Sequence, residues 1–275
     1  MLVPVFWACS AVRLSYNQGP TLAYWWLDRY ADFGVEQSAR VKAALADWFA
    51  WHRATQLADY TQALGAMQAL AVDKVSAGQV CGNLDAWKRR AEASFERAVP
   101  AMAELVRDLS PEQISRIERR QHNNHEERKT EYLQAVPADR TKATFERALS
   151  RAESLYGTLD DAQRRLLTGG LAASPFNPER WLDEQAQRQA DIVRSLRRWT
   201  TERSDTATVQ AGLRRLAAEA VKSPDPQYAA YAHRLTDANC ALLARVHNST
   251  NPAQRQHATD KLRGWEDDLR ALLTP

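Results

Sequence analysis

The first place in this sequence where chemistry could be done is residues 120–131 (RQHNNHEERKTE), twelve consecutive positions without one apolar side chain. His122, His125 and Glu126 stand close enough on one helical face to supply three metal ligands. The spacing is not that of the zinc-protease helix, where two histidines stand four apart and a glutamate follows the first. No outer partner that would orient these ligands is evident, so neither a metal nor another cofactor is expected. Together with Asn124 and Arg128, the two histidines could instead hold a polar ligand. Ile114 and Ile117 begin an apolar stripe that Gln121, Asn124 and Arg128 continue with polar groups. A helix polar all round projects into solvent, joins an interhelical hydrogen-bond network, or lines a wet site. Projection is the favoured reading.

A second concentration is aromatic. Tyr16 to Tyr30 (YNQGPTLAYWWLDRY) holds five aromatics in fifteen residues, and Trp48, Phe49, Trp51 and His52 follow. Such clusters fill a core where an N-terminal helix packs on a longer one, or line a groove for peptide, glycan or lipid. Trp25, Trp51 and His52 are the candidates for the second role. No Gly-x-Ser-x-Gly turn and no glycine-rich phosphate loop occur, and neither internal cysteine has a neighbour that would lower a thiol pKa. No residue is therefore assigned a catalytic role. Asp160-Asp161 and Asp267-Asp268 are adjacent acids, which do not face one another on a helix. His247 sits in the last turn of a helix, where it favours the dipole.

Cys9 closes a short apolar leader, residues 1–9 (MLVPVFWAC), and is followed by Ser10, the pattern of a bacterial lipoprotein junction. The leader has no basic residue and carries Pro4, so it is expected to be a truncated or irregular signal segment. Cys9 is the expected lipid-attachment site, which places the chain in a periplasm, tethered to a membrane, most simply the outer one. Cys81 and Cys240 then remain as an even pair, and an oxidising compartment allows them to join.

These residues need elements to hold them, and the elements are helical. Cap residues followed three positions later by glutamine recur at Ser76/Gln79, Ser110/Gln113, Asp160/Gln163 and Asn251/Gln254, with Gly34/Gln37 a weaker version. Each is a capping box, in which the cap accepts an orphan N–H and the glutamine reaches back. Between these starts, apolar residues step by threes and fours, as in Val80, Leu84, Trp87, Ala91 and Phe95. The spacing predicts about ten helices, at 20–32, 35–70, 77–107, 111–134, 138–157, 161–173, 178–203, 206–222, 225–247 and 252–273. The fold class is all-α, a bundle of long antiparallel helical hairpins. Residues 10–275 are expected to form a single helical domain with a hinge near 169–177, where Gly169-Gly170 meets Ser174-Pro175-Phe176. No fixed-period repeat is legible.

Composition agrees. The 275 residues are 44% apolar, ample for a core, with ten glycines and eleven prolines. The 37 basic and 34 acidic side chains are interspersed, which argues against a nucleic-acid footprint.

The combination of Cys9-Ser10, Tyr16-Asn17, Thr21 to Tyr30, Trp48 to His52, Ala173 to Trp181, Val246-His247-Asn248 and Gln254-Arg255 resembles an uncharacterised family of bacterial lipoproteins, domain of unknown function 6279. The resemblance covers nearly the whole chain. It implies a secreted, lipid-anchored helical protein and no particular activity. More narrowly, Leu109 to Gln113 and Leu159 to Gln163 are similar to the Leu-Thr-x-x-Gln motifs of Spy-type periplasmic chaperones, helical cradles that hold unfolding clients without ATP. The expected function is that of a membrane-anchored, non-enzymatic binding or chaperone-like protein whose partners are envelope proteins. The alternative is an envelope hydrolase or lyase with its site on residues 120–131.

Overall fold

The structure, a computed structural model, describes residues 11–273; Cys9 and Ser10 lie outside the described residues. Twelve α-helices and no strand occur among them. The helices are α1 (Ala11–Asn17), α2 (Gly19–Ala31), α3 (Val35–Thr55), α4 (Leu57–Val72), α5 (Ala77–Arg107), α6 (Pro111–Tyr132), α7 (Pro137–Tyr156), α8 (Asp161–Ala172), α9 (Pro178–Thr201), α10 (Thr206–Val221), α11 (Pro226–Asn248) and α12 (Pro252–Leu273). The architecture is the expected all-α multi-helix bundle, and its most extensive pairings join helices distant in sequence: α4 with α12, α5 with α10 and α11, and α6 with α9. Two differences raise the count. Residues 11–17 form a helix of their own ahead of α2, and the expected helix 35–70 is interrupted at Gln56. No glycine or proline marks that second break, so the apolar spacing runs through it unaltered.

The helix starts are set by the capping boxes. Ser76, Ser110 and Asp160 each accept the N–H of the glutamine three residues on, and each glutamine Oε1 accepts the cap's own N–H. Asn251 and Gln254 make the same pair of bonds, at 2.9 and 3.0 Å. Gly34 has no side chain to offer, so only the returning half is present, from Gly34 N–H to Gln37 Oε1 at 3.1 Å.

Four of these five glutamines do more than cap. Gln37 and Gln113 face each other, each amide donating to the other's Oε1, at 3.2 and 2.7 Å. Their second N–H groups reach the carbonyls of Asp108 and Asp32, each two residues before the partner's cap. Gln163 and Gln254 repeat this arrangement, with reciprocal bonds of 2.7 and 2.9 Å and further bonds to the carbonyls of Ser249 and Thr158. Every amide thus uses both donors and two acceptor positions. Gln163 and Gln254 are buried, where such complete satisfaction is required. The starts of α3 and α6 are bolted together, and so are those of α8 and α12.

Apolar packing fills the space around these junctions. The central cluster joins Val99 and Ala103 of α5, Ile114 of α6, Val193, Leu196 and Trp199 of α9, and Val209 of α10. Trp199 lies over Gly212, where a Cβ would come within 2.1 Å of the indole, so only glycine lets α10 approach. A second cluster joins α4 and α12 through Leu64, Ala71 and Leu262, and a third joins α8 and α11 through Leu167, Leu242 and Val246. The stretch expected as a hinge is fastened at both ends. Gly170 packs against Leu242, and Asn177 N–H donates to the Tyr231 hydroxyl at 2.9 Å.

Cys81 of α5 and Cys240 of α11 form a disulfide, with Cα atoms 5.5 Å apart across 159 positions of sequence. Beside it, Asn248 brackets Val75 by accepting its N–H and donating to its carbonyl, at 2.8 and 2.9 Å. His247 is likewise structural. Its Nε2–H donates to the Asp73 carbonyl at 2.7 Å, leaving Nδ1 to accept from Tyr156, whose hydroxyl burial pushes up to about 12. Removing the bridge with Cys81→Ser/Cys240→Ser is expected to cost about 2–5 kcal/mol, because it frees a very long loop in the unfolded chain. Urea unfolding with and without reductant measures this, and only the parent should respond to reductant.

Candidate functional site

A groove of about 610 Å³ lies between α2, α3 and α5. Ala23 and Leu27 of α2, Val41, Ala44, Leu45 and Trp48 of α3, and Ala98, Ala101, Met102 and Leu105 of α5 line it. The helices are held apart at both ends. At one end Gln37 Nε2 ties the start of α3 to the Asp108 carbonyl after α5, and Arg40 pairs with Asp108 at 2.7 Å. At the other, the Trp48 indole N–H donates to the Ser94 carbonyl at 2.9 Å. Between those fixed points Ala44, Ala98 and Ala101 leave space among the larger Val41, Leu45, Met102 and Leu105. Pro100 lies within α5 here; lacking an N–H, it cannot bond the carbonyl four residues earlier, although the helix continues through it. Four charged side chains, Arg40, Asp47, Arg97 and Glu104, sit among the lining, and Arg97 pairs with Asp47 at 2.6 Å.

The aromatic cluster closes one end of the groove. His52 is buried, stacked on Trp48 with ring centroids 4.8 Å apart. Its Nδ1 lies 2.9 Å from the Tyr16 hydroxyl and its Nε2 3.3 Å from that of Tyr60. A neutral ring satisfies both, donating at one nitrogen and accepting at the other. Burial lowers its pKa. Burial also raises that of Tyr16, the largest influence on that hydroxyl. Trp51 flanks the cluster, 6.1 Å from Trp48, with the Arg97 guanidinium over its ring. His52 and Trp51 are therefore packing groups at the groove's end. Trp25 is not among them; it stands 59% exposed on α2.

The polar stretch is exposed at residues 126–131, but the helix also packs along one face. One face of α6 packs on α9 and α2, an interhelical network in which Asn124 donates to the Tyr30 hydroxyl at 2.6 Å and Arg128 bonds Gln185 of α9. Glu118 pairs with Arg197. The stripe begun by Ile114 is continued by polar groups because their partners across the interface are polar. His125 is buried on this face while His122 is exposed, so the two do not converge. Glu126 pairs with Lys129, which holds its carboxyl below the usual range. Among the described residues no three His, Cys, Asp or Glu side chains form a group that could hold a metal ion.

The aromatics expected either to fill a core or to line a groove border this one, whereas its alanines and Pro100 were not expected to. The available signal was a proline within the apolar stripe of α5, flanked by Ala98 and Ala101.

Fold and groove define an all-α helical bundle with an apolar interhelical cleft. The chain belongs to the family of unknown function DUF6279, which matches residues 29–220. That match is shorter than the expected near-complete coverage: Cys9, Tyr16, Cys240 and His247 lie outside it. No curated protein and no solved structure matches the chain.

A histidine whose pKa is lowered on folding binds its proton more readily in the unfolded chain, so its contribution to stability falls as pH drops below the unfolded value of about 6.5. The urea midpoint of the parent is expected to decline from pH 7.5 to pH 5. In His52→Gln, which keeps a polar group but no titration, the decline should shrink.

Proposed function

We propose that this chain is a membrane-anchored periplasmic lipoprotein that binds apolar segments of other envelope proteins, without catalysis, in the groove between α2, α3 and α5. The observation that carries the reading is the groove itself, an apolar trough with charged groups at its rim, held open by bonds at both ends. An amphipathic client segment would bury its apolar face against Ala44, Ala98 and Met102 and pair its polar face with Arg97 or Glu104. The Cys81–Cys240 disulfide supports an oxidising compartment. Two capping boxes similar to chaperone motifs, at Ser110 and Asp160, add to the reading, although Gln113 faces Gln37 and Gln163 faces Gln254, not a client. No observation favours a hydrolase or lyase site on residues 120–131, where Asn124 and Arg128 are already bonded to neighbouring helices.

At stoichiometric amounts the chain is expected to suppress aggregation of several unrelated unfolding clients. Ala101→Phe, which places a ring in the trough, should reduce that protection several-fold with an unchanged unfolding midpoint. Absence of protection for every client would eliminate the holdase, and equal protection by parent and variant would move the site away from the groove.

A further inference from the structure

Exposed large apolar side chains concentrate at the front of the molecule. Leu14 on α1 and Leu22, Trp25 and Trp26 on α2 are 58, 46, 59 and 58% exposed. With about 3.6 residues per turn, Leu22, Trp25, Trp26 and Arg29 fall within one arc of α2 about 100° wide. Tyr24 and Ala31 lie on the opposite side, where Tyr24 bonds Ser38 of α3 and Ala31 enters the central core. The exposed arc is thus a second apolar face on a helix whose first is already used. Trp26 leans on Tyr30, with ring centroids 4.9 Å apart, and still leaves most of its indole uncovered.

Charge selects the occupant. The one acid in residues 11–31 is Asp28, whose carboxylate accepts the Phe33 N–H at 2.9 Å, and the charge on the exposed arc is that of Arg29. Indoles beside aliphatic side chains, with a basic residue and no acid, are the composition of a helix lying in a bilayer interface. Position supplies the second argument. Cys9, the expected lipid-attachment site, precedes α1 by two positions, so an anchored chain holds this arc within a few nanometres of the membrane. No helix among the described residues is long and apolar enough to cross a membrane, which fits a face that rests on the bilayer.

We infer that α2, with Leu14 of α1, docks on the surface of a phospholipid bilayer through Leu22, Trp25, Trp26 and Arg29. The orientation relies on the anchor reading; the affinity of the face for lipid does not. Another face of α2 carries Ala23 and Leu27 into the groove, so docking sets the groove beside the membrane surface.

The test uses the full chain carrying Cys9→Ser, so that no acyl chain contributes. Vesicles are made of phosphatidylethanolamine and phosphatidylglycerol, with and without brominated acyl chains. Tryptophan emission is expected to shift to the blue on adding vesicles and to be quenched by the brominated lipid. Trp25→Ser/Trp26→Ser should lose that response, with partitioning weaker by roughly tenfold or more. Both residues are exposed, and an unchanged unfolding midpoint confirms that the variant folds. Ala101→Phe, which fills the groove, should keep the vesicle response in full. No vesicle response in the Cys9→Ser chain, or equal responses with and without the two tryptophans, would overturn the docking face and leave the client groove untouched. A response lost in Ala101→Phe would assign lipid binding to the groove and also overturn the proposal.

Discussion

Two reciprocal glutamine pairs set the geometry on which the rest of this bundle depends. A capping glutamine ordinarily completes one helix end, with half of its amide left for water. In Gln37/Gln113 and Gln163/Gln254 the remaining donors and acceptors meet a second capping box, so each pair joins two helix starts and two chain reversals at once. The constraint is directional, because an amide pair that also holds both caps tolerates little sliding. Apolar contacts alone would allow neighbouring helices to shift along their grooves.

The first pair bears on the groove between α2, α3 and α5. It fixes the end of α5 beside the start of α3, while Trp48 and Ser94 fix the same two helices farther along. Between those two points Ala44, Ala98 and Ala101 leave room among larger apolar side chains, and the trough lies there. The second pair shares the α11–α12 turn with His247 and Asn248, so the starts of α8 and α12, the end of α11 and the turn before α5 share one network.

Much of this was legible locally, and the rest was long-range. Caps at Ser76, Ser110, Asp160 and Asn251 were readable because a capping box spans four residues. That Gln37 would find Gln113, and Gln163 would find Gln254, was not readable, since nothing in a box distinguishes a glutamine facing water, such as Gln79, from one facing another box. The break at Gln56 was invisible for want of a breaking residue. The polar run from Arg120 misled in the other direction: it suggests solvent, yet Asn124 and Arg128 meet Tyr30 and Gln185. Polarity alone does not tell a solvated face from one that packs on a neighbouring helix. Trp25 was grouped with Trp51 and His52 by composition, and helical phase separates them.

The most direct test of the clamp is a double-mutant cycle on Gln163→Ala and Gln254→Ala, read by urea unfolding. Leaving one buried amide without its partner costs about 1–3 kcal/mol, so each single change should destabilise strongly and the double change by clearly less than the sum. Gln79→Ala combined with Gln163→Ala should be additive, because Gln79 caps its helix with no partner box. Additivity between Gln163 and Gln254 would mean that the two boxes act independently, and would contradict the account.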